Sequence, residues 1–188
     1  EDRFILIDTG AAAGRLAVIA AATARLARSG AAHEAVIAFA EASLAACQEL
    51  IFVDRLKYLA AGGRLSRPGA FVGDLLKFKP VVSPRPTGVE KVGLVRNRPD
   101  QLRFALEHLS AAAESAAAPL IWLQYSDNRE WVATEAAPAL RERLPGAEVV
   151  LGPLSLTTGV HTGPGTWAVA LHPDPGPTST ATARHAAV

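Results

Sequence analysis

A chain of 188 residues, 49% of them hydrophobic, is long enough to bury a core as one large domain or two small ones. Its formal net charge of +1, with lysines and arginines scattered rather than clustered, offers no global field for nucleic acid. The single cysteine, Cys47, excludes an internal disulfide and any cysteine-based zinc site; it suits a cytoplasmic protein and reads as a buried structural thiol.

Phe4 to Ile7 is an unbroken apolar run closed by Asp8-Thr9-Gly10, the pattern of a buried strand ending at a loop. The run follows Glu1-Asp2-Arg3 in a chain without methionine, so a piece of a longer polypeptide is expected. No basic-then-apolar signal pattern opens it, and no apolar run reaches 18 residues without a charge. Alanine-rich helices are predicted over residues 14–28, ended by Ser29-Gly30, and over residues 33–48. A short strand at residues 51–53 passes into one or two helical turns with Leu56 and Leu59 on one face. Gly62-Gly63 stop that helix, directly before Arg64.

After Arg67-Pro68-Gly69, a helix over residues 70–76 carries Phe71, Val72, Leu75 and Leu76. It is apolar on most sides, so it must be covered on nearly every face or line an apolar cavity. Residues 78–83 and 89–95 read as a β-hairpin, in which Pro80 implies an edge strand or a bulge. A helix over residues 100–117 follows, entered through Pro99. Then come a strand at 120–125, cap residues Ser126-Asp127-Asn128, a helix over 129–144, a strand at 148–152, a loop rich in Leu, Thr and Gly, and a strand at 167–171. Beyond Pro173 the composition predicts a disordered tail. The order implies an α/β fold with a mixed β-sheet and flanking helices.

The titratable group with most promise is His161, placed in the predicted loop between two strands, with Gly159 before it and Gly163-Pro164-Gly165 after it. An imidazole there can hydrogen-bond a carboxylate, or simply stand beside a strained turn. Arg96, at a strand end, is either a ligand contact or an ordinary surface arginine. Gly10 to Gly14 is a weak echo of a dinucleotide fingerprint with no acidic ribose ligand after it. No nucleophile elbow, phosphate loop or metal-ligand spacing appears. A hydrolase or acyltransferase using His161 as base stays open as an alternative, although Ser155 and Thr162 lack an elbow.

The run from Phe52 to Ser66, F-V-D-R-L-K-Y-L-A-A-G-G-R-L-S, resembles the signature segment of the DegV family. So do the apolar helix with Leu75-Leu76, Lys79-Pro80-Val81, the Gly88 turn, Lys91 to Arg96, and His161-Thr162-Gly163-Pro164-Gly165. The resemblance implies a two-lobed α/β protein that binds a long-chain fatty acid and presents its carboxylate to a separate fatty-acid kinase. It implies no catalytic residue, metal or cofactor of its own, no nucleic acid, and at most transient contact with a membrane surface. On it, residues 1–50 would end the N-terminal lobe and bridge to a C-terminal lobe at 51–172, with a tail at 173–188. Ligand binding would fall to His161, Arg96 and Thr162, with Leu56, Leu59, Phe71, Val72, Leu75 and Leu76 as acyl walls and Arg64 docking the kinase. Most of the N-terminal lobe, with its Ser- and Thr-bearing loops, has no counterpart here, so poor lipid binding is expected of this chain alone.

Overall fold

The computed structural model describes residues 4–64, 78–85, 88–114, 116, 118–174 and 176. The expected helix over residues 70–76, with Phe71, Val72, Leu75 and Leu76, lies outside them, as does most of the expected tail.

Two helices come first, α1 (Ala13–Arg28) and α2 (His33–Ala46), followed by β1 (Gln48–Phe52) and the short α3 (Lys57–Ala61). The hairpin β2 (Lys79–Arg85) and β3 (Gly88–Val95) leads to α4 (Arg98–Ala112), capped by the Asn97 side chain accepting from the Asp100 N–H at 2.9 Å. The remainder is β4 (Leu120–Tyr125), α5 (Arg129–Trp131), a π segment (Val132–Ala136), α6 (Ala137–Arg143), β5 (Glu148–Pro153), α7 (Leu156–Thr162) and β6 (Trp167–His172).

The strands form one six-stranded sheet in the order β3-β2-β1-β6-β4-β5. Every neighbouring pair is antiparallel except β4 with β5, which is parallel, so the sheet is mixed as the element order implies. Pro80 sits in an interior strand next to the register shift at Val81/Val82, so its role is at a bulge rather than at an edge.

Side chains alternate between the two faces of each strand. One face sends Leu50, Phe52, Ile121, Leu123, Trp167 and Val169 into a core shared with α4 and α6. At its centre Phe52 stacks on Trp167 with centroids 4.3 Å apart, and Trp131 meets the same indole edge-on at 5.3 Å. The indole Nε1–H donates to Gln101 Oε1 at 2.8 Å. The other face is covered in two patches. Val18 and Ile19 of α1 pack with Leu120 and Ala170, while Leu59 packs with Ile51, Val53, Val82, Leu154 and Ala168. Cys47 is buried, and desolvation pushes its thiol up to about 12, as befits a structural cysteine.

Two expectations need correction. Residues 4–10 form no strand: Phe4 is 91% and Leu6 97% exposed, and no strand among the described residues runs beside them to supply a ladder. Residues 156–162, expected as a loop, form α7. Ser155 starts it by accepting the Thr158 N–H at 3.2 Å, and Gly163 ends it at φ +76°.

Candidate functional site

The fold brings the two glycine-bearing motifs together. Helix α3 and helix α7 pack on each other beyond the end of β1, so the segment from Asp54 to Arg64 lies against the one from His161 to Gly165. The Tyr58 ring occupies the space where a side chain at Gly163 would stand, at a backbone φ of +76° that glycine alone adopts easily. Gly165 approaches Asp54, which is ion-paired with Lys79.

A separate set of polar groups fixes this loop from the far side. The Gly165 carbonyl accepts from Arg98 Nη2 at 2.8 Å and from Asn128 Nδ2 at 3.2 Å. The Gly165 N–H donates to Asp127 Oδ1 at 2.6 Å, and that bond, with one from the Ser126 hydroxyl, holds the Asp127 carboxyl below its usual range. Arg98 also stacks over Trp131 at 4.9 Å. His161 is thus carried on a short helix whose exit is held at both backbone groups of a single glycine.

Beside this junction lies a groove of about 390 Å³. Ile51 and Leu59 contribute its apolar floor, and Pro84, Gly88 and Val89 of the hairpin form one wall. Gly10, Ala11 and Ala12 ahead of α1 form another, and Thr157, Thr158, His161 and Thr162 of α7 provide the polar rim together with Asp8 and Arg64. His161 is half-buried, and its Nδ1 is sealed from solvent without a hydrogen-bond partner among the described residues.

Of the residues singled out from the sequence, His161, Thr162, Leu59 and Arg64 meet in this groove. The Thr162 hydroxyl donates to Thr158 O at 2.9 Å, so its proton is committed to its own helix. Arg64 is exposed, and its Nη1 donates to Gly62 O at 2.8 Å. Leu56 packs behind the floor, against the cluster that contains Leu59, without lining the groove. Arg96 is not brought to His161. It follows the edge strand β3, is exposed, and lies over Phe78 at 4.8 Å in a different cleft of about 320 Å³ that also contains Asp100 and Phe104. The two residues are separated along β3 itself: Gly88 and Val89 at its start line the groove, whereas Arg96, just past its end at Val95, stands in the cleft with Phe104 of α4.

The hydroxyls near His161 are engaged elsewhere: Ser155 Oγ donates to Thr158 Oγ1 at 3.0 Å, and Thr162 donates to its own helix. Away from the groove, Ser43 Oγ meets His172 Nε2 at 2.9 Å; that contact is buried, and there the serine proton goes to Phe39 O at 2.7 Å. Among the described residues no cluster of His, Cys, Asp and Glu could hold a metal ion, and no helix is long and apolar enough to cross a membrane.

Sequence reasoning missed the wall formed by residues 10–12 and the holders of Gly165, namely Arg98, Asp127 and Asn128. It also missed Thr157 and Thr158. The Ser155-x-x-Thr158 spacing was the available signal for a capped helix that sets Thr158, His161 and Thr162 at helical intervals.

Residues 1–174 match the family described as "Uncharacterised protein, DegV family". A DegV domain-containing protein of Streptomyces coelicolor is 30% identical over 161 residues, which are 85% of this chain and 57% of that protein. One of Caldanaerobacter subterraneus is 26% identical over 141 residues, 75% of this chain and 50% of the relative. The chain therefore spans about half the length of these curated relatives. A DegV family protein of Thermus thermophilus, described as fatty-acid binding, matches with a TM-score of 0.82 and 29% identity, over 91% of this chain and 61% of its own. The fatty acid kinase B3 protein of Streptococcus pneumoniae, solved loaded with linoleic acid, gives a TM-score of 0.78 over 90% of this chain and 60% of its own. Its 21% identity makes that likeness one of fold.

Proposed function

We propose, from the premise that this chain belongs to the DegV family, that its groove takes the acyl chain of a long-chain fatty acid and that His161 meets the carboxylate. The supporting observation is the union, in one groove of about 390 Å³, of an apolar floor with a single imidazole on its polar rim. That volume lies within the range of small-molecule sites, roughly 300–1,000 Å³. Each buried methylene contributes about 0.8 kcal/mol, so the tail supplies the affinity and the head needs only one or two polar contacts. Residues 51–172 then act as the acyl-binding lobe, joined at the groove by Asp8 and residues 10–12, with residues outside this chain completing the head-group site.

The role is binding and presentation. A carboxylate is already ionised at pH 7, so a kinase that phosphorylates it needs it positioned and screened rather than deprotonated. Arg64, exposed at the groove beside His161, faces the kinase. The reading needs no cofactor, places the protein in the cytoplasm, and allows transient contact with the membrane surface that supplies fatty acid. The Thermus thermophilus protein is described as fatty-acid binding, which favours this reading over a hydrolase using His161 as base.

The test uses the full-length product of the gene. Lipid extraction and mass spectrometry should recover a bound fatty acid, and Val89→Trp, which fills the groove with an indole, should remove it while leaving the circular dichroism spectrum intact. His161→Ala should slow acyl-phosphate formation by a fatty-acid kinase, and Arg64→Ala should weaken that coupling with lipid still bound. Absence of any fatty acid from the parent, or full occupancy in Val89→Trp, overturns the proposal.

A further inference from the structure

Two adjacent glycines end α3, and the structure gives them different reasons. Gly63 adopts φ +67° with nothing within 4 Å of the position a Cβ would take. Its N–H donates to Ala60 O at 3.1 Å, and the next N–H, from Arg64, donates to Leu59 O at 3.0 Å. This is the paired-bond helix stop that favours a left-handed residue, so Gly63 is glycine for its backbone.

Gly62 has φ −81° and ψ 1°, which any L-residue tolerates. Its need for glycine comes from across the junction. A Cβ there would overlap His161 Nδ1, with Cε1 at 3.1 Å and Cγ at 3.2 Å. The imidazole therefore lies with its Nδ1 edge on the Gly62 backbone, and its opposite edge, Nε2 and Cδ2, points away from it. The polar groups of that backbone are already engaged: the Gly62 N–H donates to Tyr58 O at 2.9 Å, and its carbonyl accepts from Arg64 Nη1 at 2.8 Å. His161 Nδ1 has neither solvent nor a partner among the described residues. A buried N–H without an acceptor is rarer and costlier than a bare lone pair.

We propose that Gly62 is a positioning residue that seats His161 with Nδ1 as the bare, buried nitrogen, and so fixes the neutral ring as the Nε2–H tautomer, whose one N–H is offered to the groove. A ligand carboxylate oxygen accepts that hydrogen. The carboxylate part rests on the acyl-binding reading above; the tautomer and its dependence on Gly62 do not. The Gly-Gly pair thus combines a helix stop with a seat for the histidine, and the second function sits in the first glycine.

The experiment is nitrogen-15 NMR of the full-length product of the gene, stripped of lipid and labelled at histidine, with His161 signals assigned by their loss in His161→Gln. The parent should show Nε2 protonated and Nδ1 bare. Gly62→Ala should shift His161 out of that pattern and lower oleate affinity roughly tenfold or more, the size of one lost hydrogen bond to a charged group. Gly63→Ala should lower stability and leave both the pattern and the affinity in place. An Nδ1–H tautomer in the parent overturns the inference even where Gly62→Ala fails to fold, and so does an unchanged His161 pattern in a folded Gly62→Ala. An expected tautomer whose Nε2–H signal ignores added oleate overturns the carboxylate reading of the groove and leaves the role of Gly62 standing.

Discussion

Replacing Glu49 with glutamine should change how stability depends on pH, and the structure sets the size of the effect. Glu49 is 1% exposed, on β1 beneath the start of α1. Ala12, the residue before α1, gives no side-chain cap. Glu49 supplies one from the sheet: Oε1 accepts the Gly14 N–H at 2.9 Å and Oε2 the Arg15 N–H at 3.2 Å. Burial still dominates and pushes the carboxyl up to about 7 from its ordinary 4.5, against the downward pull of those N–H groups and the Arg15 guanidinium. The folded chain therefore holds this proton more tightly than the unfolded one. The resulting stability is fully present below about 4.5 and is lost as the pH rises through about 7. At 1.36 kcal/mol per pH unit, the rise is worth about 3 kcal/mol. Glutamine keeps the shape and one acceptor but cannot ionise. Between pH 8 and pH 4.5 the parent should gain about 3 kcal/mol relative to Glu49→Gln, on the order of 10 °C in melting temperature for a chain this size. Thermal melts of both proteins followed by circular dichroism across that window measure it. A constant difference between the two curves, or one that grows in the opposite direction, would refute the account of Glu49.

The same corner predicts that Gly14→Ala destabilises, although alanine is the better helix former by about 1 kcal/mol. Its Cβ would lie 2.7 Å from Gln124 Oε1 and 2.9 Å from both Ala170 Cβ and Glu49 Oε1, and overpacking of that kind costs about 1–3 kcal/mol. A urea midpoint above the parent's would show that α1 lifts off the sheet without penalty. In the opposite core, Gln101→Leu leaves the buried Trp167 Nε1–H without its acceptor and should lower the unfolding free energy by about 1–3 kcal/mol, read from tryptophan fluorescence in urea. An unchanged midpoint would mean that the indole finds another partner.

What the sequence determined about this protein is mostly what a single element can express. The helices before β1, the hairpin, and the strand at residues 120–125 were legible because hydrophobic period and turn residues act within a dozen positions. The same local logic misread Phe4 to Ile7, since an apolar run becomes a strand only where another strand offers a ladder. It also missed α7, because Gly159 and the threonines are poor helix formers and the helix depends on the Ser155 cap and on packing against α3. The two glycine motifs could be picked out individually, but not the contact between them, in which Gly62 makes room for His161 and Gly163 for Tyr58 across some hundred residues of chain. The packing of α3 against α7 decided that His161 would share a groove with Arg64 and Leu59, while Arg96, past the opposite end of β3 from the groove-lining Gly88 and Val89, stood apart. Glu49, one acidic residue among apolar neighbours, carried no local sign of its role, because only the crossing of α1 over β1 puts helix N–H groups above its carboxylate. Local pattern fixes which residues turn inward; which inward-facing residues meet depends on how non-local strands pair, and a one-dimensional period holds no information about that.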